Sequence, residues 1–261
     1  MLSMTNVKCE KAGSNSGLFC YPGASLLFML TTITIFTLRP GQRRWGLAQM
    51  GTSPRQLQRV AGLRFFQLLG SGAANGFGFL PNLDRYGLMA VWESAAAATA
   101  FFEAHPLWAE YERRSRETWT AELAPLRSHG LWNGLNPFEY EAEKASETGP
   151  VAVLTRASIR LRRAPRFWRY VEPTSRALAE VPGVQLAIGL GELPLVRQAT
   201  FSVWDSAEAM QQYAYRDVRH REVIQLTRRE NWYSEELFAR FRVLSSRGTV
   251  DGRAPLRASA G

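Results

Sequence analysis

Apolar positions along this chain follow two alternating rhythms. "TTITIFTL" (31–38) is β-branched and partly alternating, as a strand should be. "VAGLRFFQLLGSG" (60–72) is a second strand, entered and left through glycine, and "GLMAVW" (87–92) reads as a third. Trp92 is followed by Glu93, Ser94 and an alanine-rich run, and a serine in that position caps the start of a helix. An Arg-rich turn and helix follow the first strand at "RPGQRRW" (39–45).

The chain then repeats itself. "GLMAVWESAAAATAFF" (87–102) parallels "QATFSVWDSAEAMQQYA" (198–214), and "VAGLRFFQLLGSG" parallels "VPGVQLAIGLGELP" (181–194). "TTITIFTLRPGQRRW" (31–45) parallels "VAVLTRASIRLRRAPRFW" (151–168), each a strand running into an Arg-rich turn. "SRETWTAEL" (115–123) parallels "RRENWYSEEL" (228–237), which predicts two helix ends and makes Trp119 the counterpart of Trp232. Each half reads β-α-β-β-α, the core of a ferredoxin-like unit. The expected fold class is α+β: tandem ferredoxin-like repeats forming an α+β barrel, a pseudo-dimer within one chain, whose closure removes the sheet edges.

The expected organisation is a first repeat over 29–135, a linker over 136–150 and a second repeat over 151–245. The linker, "NPFEYEAEKASETGP", is polar, acidic and flanked by prolines. Residues 246–261 are Gly-, Ala- and Arg-rich and are expected to be disordered. Residues 1–28 read as a disordered leader or a mis-assigned start, with Met29 as the alternative first residue. "ASLLFMLTTITIFTL" (24–38) is too short and too rich in threonine for a spanning helix.

The net charge of +9 puts polyanions among the possible partners, but the arginines are spread along the chain with no nucleic-acid-binding signature. Nucleic acid is therefore not expected. Both cysteines, Cys9 and Cys20, precede the repeats, which excludes thiolate chemistry in the body of the protein. "GSGAANGFG" (70–78) has Asn75 where a dinucleotide loop needs its third glycine, and no helix follows, so it reads as a strand connection.

There are three histidines. His105 precedes Pro106 and is expected at a helix break; His129 is expected in a Gly-rich loop. His220 differs. On a helix spanning 207–230 it shares a face with Val223, Ile224 and Thr227 and is ringed by Arg216, Arg219 and Arg221. That setting suits an axial haem ligand with arginines near the propionates. It also suits an ordinary core-edge histidine satisfied by the backbone, and periodicity alone favours the latter. Counting back from Trp232 and Trp119 matches position 220 to Leu107, so only the second half carries a histidine there.

"GQRRWGLAQMG" (41–51), "GLRFFQLLGSG" (62–72), "YGLMAVWESA" (86–95) and "RENWYSEELFARF" (229–241) resemble the spheroidene monooxygenase family of acyclic carotenoid 2-ketolases over residues 30–245. The resemblance implies a haem protein that hydroxylates C-2 of spheroidene, or hydroxyspheroidene, twice with dioxygen to give the ketone (spheroidenone from spheroidene). It implies reduced ferredoxin as electron donor, haem iron as cofactor and His220 as the metal ligand. Arg216 and Arg219 are the other cofactor-binding candidates. An apolar groove for the polyene is expected, as is a cytoplasmic protein with peripheral membrane contact. Two rivals stand beside this reading: a non-haem iron oxygenase in which His105 or His129 joins His220, and a barrel binding haem or an apolar ligand without turnover.

Overall fold

The computed structural model describes residues 29–72, 80–138, 148–178, 181–193, 195–216, 226–227 and 229–256; for 171–177 and 215–216 it describes the backbone alone. The first half contains β1 (Leu30–Leu38), α1 (Arg43–Leu57), β2 (Leu63–Gly72) and β3 (Pro81–Trp92). It continues through α2 (Ala95–Ala104), α3 (Pro106–Arg114) and β4 (Ser115–Gly130). The second half contains β5 (Val151–Ile159), a 3₁₀ turn, α4 (Ala164–Leu178), β6 (Val184–Leu193), β7 (Arg197–Trp204), α5 (Ala207–Arg216) and β8 (Tyr233–Gly248).

All the strands pair antiparallel in one closed barrel of order β1-β3-β2-β6-β7-β5-β8-β4. Each half contributes a ferredoxin-like four-strand sheet, and the α+β barrel of the sequence reading is the observed architecture. The two seams differ. β4 and β8 pair along their length, from Trp119↔Gly248 to Gly130↔Leu237, whereas β2 meets β6 only at Gly70↔Gly191 and Ser71↔Leu190.

Local chemistry sets several element boundaries. The Ser94 hydroxyl accepts from the Ala97 amide and the Ser206 hydroxyl from the Ala209 amide, capping α2 and α5 as the repeat predicts. His105 breaks the helix before Pro106, and its Nδ1 accepts from the Leu107 amide at 3.2 Å to cap α3. Every residue of β1 is buried, because the strand is covered by the barrel interior on one face and by helices on the other.

The register corrects three expectations. Of the described residues in the two predicted helix ends only 229–230 are helical: α3 stops at Arg114, and from Ser115 and Tyr233 the chain forms β4 and β8, the fourth strand of each unit. Their helix-favouring Glu, Leu and Ala residues yield to alternation, since Trp119, Ala121, Leu123 and Leu237, Ala239, Phe241 all point into the barrel core. Trp119 pairs with Ile35 and Leu237 with the equivalent Arg156, so Leu237 is the counterpart of Trp119 and the match of position 220 to Leu107 does not hold. His129 lies on β4, stacked 5.1 Å from Phe238, rather than in a loop.

The segment after Ser246 is also ordered through Leu256. Glu117 accepts hydrogen bonds from the Thr249 hydroxyl (2.6 Å) and the amides of Asp251 (3.0 Å) and Gly252 (2.7 Å), and Asp251 pairs with buried Arg85. One carboxylate satisfying three donors fixes a turn whose composition alone suggests disorder.

Candidate functional site

The strand registers fix which residues of the two halves are equivalent. Thr34 pairs with Leu88 and Thr120, and Thr155 with Thr200 and Phe238. Leu88 in turn pairs with Leu68, and Thr200 with Gly189. One row further, Phe36 pairs with Tyr86 and Ala157 with Gln198. On the helix-facing side, the first half thus has Phe36, Phe66, Leu68, Tyr86 and Leu88. The second half has Ala157, Ala187, Gly189, Gln198 and Thr200 in those places. Five adjoining positions lose bulk together. Thr120 against Phe238 runs the other way, and Phe238 stacks on His129.

Packing follows from this substitution pattern. In the first half one apolar cluster covers the whole face, joining Leu30 and Trp92 to Phe36, Leu88, Trp108 and Tyr111. In the second half the described residues form two separate clusters. One gathers Val151, Trp204, Ala207 and Met210 with Tyr213 at its edge; the other gathers Ile159, Ala164, Phe167 and Trp232 with Leu226. Thr155, Ala157, Gly189 and Thr200 lie between them. Thr34 is 1 % exposed and shares a 2.9 Å hydroxyl hydrogen bond with Thr120, whereas Thr155, at the equivalent position of a central strand, is exposed. Among the described residues the second half therefore has a slot, a flat floor of small residues with Thr155 exposed and Ala157 and Gly189 buried, where the first half has core.

His220 and Arg219 lie outside the described residues, and of Arg216 only the backbone is described. Their segment leaves α5 after Arg216, three residues past Tyr213 of one cluster, and returns at Leu226 of the other. His105 is committed to its cap and packs 5.1 Å from Phe101 in the first half. His105 and His129 are thus on separate elements against different aromatics, and among the described residues no group of three metal-ligating side chains converges.

Several large aromatics of the barrel are structural: Trp92 and Trp204 are buried, Trp45 packs on Tyr111, and Phe65 packs on Trp132. The groove lies elsewhere, at the short β2–β6 seam. It has a volume of about 220 Å³ and is lined by Leu47 and Met50 of α1, Trp168 of α4, Leu83, Tyr86 and Leu195, with glycines 70, 72 and 191 in its floor. Gln198 and Gly191 also line it, and they lie one row from Thr200 and Gly189, so the groove adjoins the slot.

Behind the floor, Arg156 points into the barrel at the position of Ile35. It donates from Nε to Glu192 at 2.8 Å, pairs with Glu235, and lies over the Trp132 ring. Spacing alone gave no sign of this network, because "LTRAS" reads as an ordinary strand with one solvent-facing arginine.

No protein-family model matches the chain. Spheroidene monooxygenase of Rubrivivax gelatinosus is 40 % identical over 233 residues, covering 88 % of this chain and 87 % of the relative. That of Rhodobacter capsulatus is 37 % identical over 214 residues, 81 % and 88 % of the two chains. The chain belongs to the spheroidene monooxygenase family. A third member, from Cereibacter sphaeroides, is 34 % identical over 86 % of this chain and 70 % of its own. Among solved structures, aldoxime dehydratase shares the fold, with a TM-score of 0.54 at 10 % identity over 82 % of this chain and 81 % of its own. The barrel brings residues of the blocks at 41–51, 62–72 and 86–95 together at the seam groove: Leu47, Met50, Gly70, Gly72 and Tyr86.

Proposed function

We propose that this protein is a haem-dependent monooxygenase of carotenoid biosynthesis. It hydroxylates C-2 of spheroidene or hydroxyspheroidene twice with dioxygen, giving the 2-keto product, and takes electrons from reduced ferredoxin. Family membership supports an oxygenase acting on an acyclic carotenoid. The observation that supports the haem reading is the slot: four adjoining floor residues no larger than threonine in one half, at positions occupied by apolar core or by the buried Thr34 in the other.

A planar macrocycle would lie against this flat floor. Thr155, Ala157, Gly189 and Thr200 would form one face of its pocket, His220 would supply the ligating nitrogen, and Arg216 and Arg219 would meet its carboxylates. Haem would supply the activated oxygen that side chains cannot generate for an unactivated C–H bond. The chain's own contribution is to hold the polyene at the adjoining groove and to exclude bulk water from it. Both cysteines lie at residues 9 and 20, which favours imidazole over thiolate ligation.

The arginine-rich surface suits docking an acidic ferredoxin and resting against an anionic cytoplasmic membrane face, where the substrate resides. No helix of the described residues is long and apolar enough to cross a membrane.

The absorption spectrum of the purified protein tests the cofactor. A Soret band that disappears in His220→Ala is expected; a colourless protein binding ferrous iron in its place overturns the haem reading. Expression in cells accumulating spheroidene tests the reaction, and absence of the ketocarotenoid under air overturns it.

A further inference from the structure

Among the described residues, the seam groove has one buried side-chain polar atom without a hydrogen-bond partner. Its other polar groups are satisfied: the Ser71 hydroxyl donates to Gly189 O at 3.1 Å, Asn82 Oδ1 accepts from the Asp84 amide at 3.0 Å, and Glu192 accepts from Arg156. Gln198 Nε2 donates to Leu193 O at 3.4 Å. Tyr86 also lines the groove, is 5 % exposed, and its hydroxyl has no hydrogen-bond partner among the described residues. A buried hydroxyl left unsatisfied is costly, so such groups mark places where something else binds.

The walls define what that is. Leu47, Met50, Leu83, Trp168 and Leu195 are apolar, and three of them, Leu47, Leu83 and Leu195, are exposed at the groove although they are leucines. Desolvation raises the Tyr86 pKa, with the nearby Asp84 charge adding to the effect, so the phenol stays protonated at neutral pH and acts as a donor. The ring is held in place by close approach of α1: a Cβ at Gly46 would lie 2.6 Å from Tyr86 Cε2.

We propose that the β2–β6 seam groove binds the oxygen-bearing end of an acyclic polyene, with the Tyr86 hydroxyl donating a hydrogen bond to its hydroxyl, ether or carbonyl oxygen. This rests on the carotenoid reading and deepens it. A volume of about 220 Å³ is below the ~300–1,000 Å³ typical of sites enclosing a whole ligand, so the groove takes a terminal segment and the rest of the chain leaves past the exposed leucines. The register places Gln198 of the groove beside Ala157 of the slot, so an anchored end group lies next to the proposed oxidation site. Tyr86 is in this reading a residue that selects oxygenated polyenes over hydrocarbons.

Binding to the purified full chain tests this without turnover. Lycopene and its 1-hydroxy derivative, each in detergent, are titrated against tryptophan fluorescence. The wild type is expected to bind the hydroxylated polyene about five- to tenfold more tightly, the range for one hydrogen bond. Tyr86→Phe should abolish the preference by weakening only that ligand, and Leu83→Asp, folded by circular dichroism, should weaken both more than about tenfold, since it places a charge in an apolar wall. Should Leu83→Asp not fold, exposed Leu195→Asp takes its place. A preference that survives in Tyr86→Phe, or full affinity in the wall variant, overturns the proposal. Bound polyene with no ketone formed in cells would sink the monooxygenase reading and leave this one standing; ketone formation with binding indifferent to Tyr86 would do the reverse.

Discussion

Arg156 and Glu192 form an ion pair inside the barrel, 2.8 Å apart, with side chains 0 % and 6 % exposed. The equivalent of Arg156 in the first half is Ile35, an ordinary core residue. Arg156→Ile therefore tests whether the charge is structural: it would leave Glu235 without this cation and Glu192 with only the 3.6 Å contact to partly exposed Arg197. Loss of one partner of a buried pair costs roughly 3–5 kcal/mol. Urea unfolding should show a loss in that range, partly recovered when Glu192→Gln is added. An unchanged midpoint for Arg156→Ile would mean that water already screens the pair.

The slot can be filled from the first half's own example. Ala157→Phe introduces the residue at position 36, and Gly189→Leu the one at position 68. In a packed core, overfilling costs about 1–3 kcal/mol. If haem lies on this floor, either change is expected to abolish the Soret band of the holoprotein whatever its cost in stability. Loss of stability with the Soret band retained would show that the haem lies elsewhere.

Acid should loosen the turn past β8. Burial disfavours the Glu117 carboxylate, yet the bonds from Thr249, Gly252 and Asp251 outweigh it and hold the pKa below the ordinary value. Glu235 behaves alike: burial is outweighed by the amides of Asn133 and Gly134 and by Arg156. A depressed folded pKa contributes stability that is complete above the unfolded value, about 4.3, and is lost as pH falls through the folded one. The urea midpoint should drop below about pH 4.3, and less steeply in Glu117→Gln; the same slope in that variant would contradict this.

The end of β8 offers a backbone test. Gly248 has φ +82°, and a Cβ there would lie 1.9 Å from Thr118 O. Gly248→Ala should lower stability by more than the ~1–2 kcal/mol of a left-handed alanine alone, because backbone cannot step aside. A melting temperature within a degree of wild type would show that the last turn contributes nothing.

Much of this protein was legible in its residues. The Val-Trp-acid-Ser-Ala blocks fixed two strand ends and two helix caps, because a serine hydroxyl satisfies an amide three residues on regardless of context. His105 was legible as a helix break for the same local reason. The duplication implied the closed barrel, since two sheets with open edges bury them best in each other. β4 and β8 were harder to read: Glu, Leu and Ala favour a helix locally, and only the barrel interior rewards the alternation of Trp119, Ala121 and Leu123.

What tertiary structure alone decided is where the two halves differ. Each of Ala157, Gly189 and Thr200 is unremarkable along the chain. Their meaning comes from strand register, which sets them side by side and opposite the bulk of Phe36, Leu68 and Leu88 in the other half. Tyr86 is likewise an ordinary strand tyrosine until α1 closes over its ring and its buried hydroxyl is left without a partner among the described residues at the groove it lines. Caps and turns are set by neighbours a few residues away, whereas cavities depend on residues brought together from four strands, and no local pattern encodes a space.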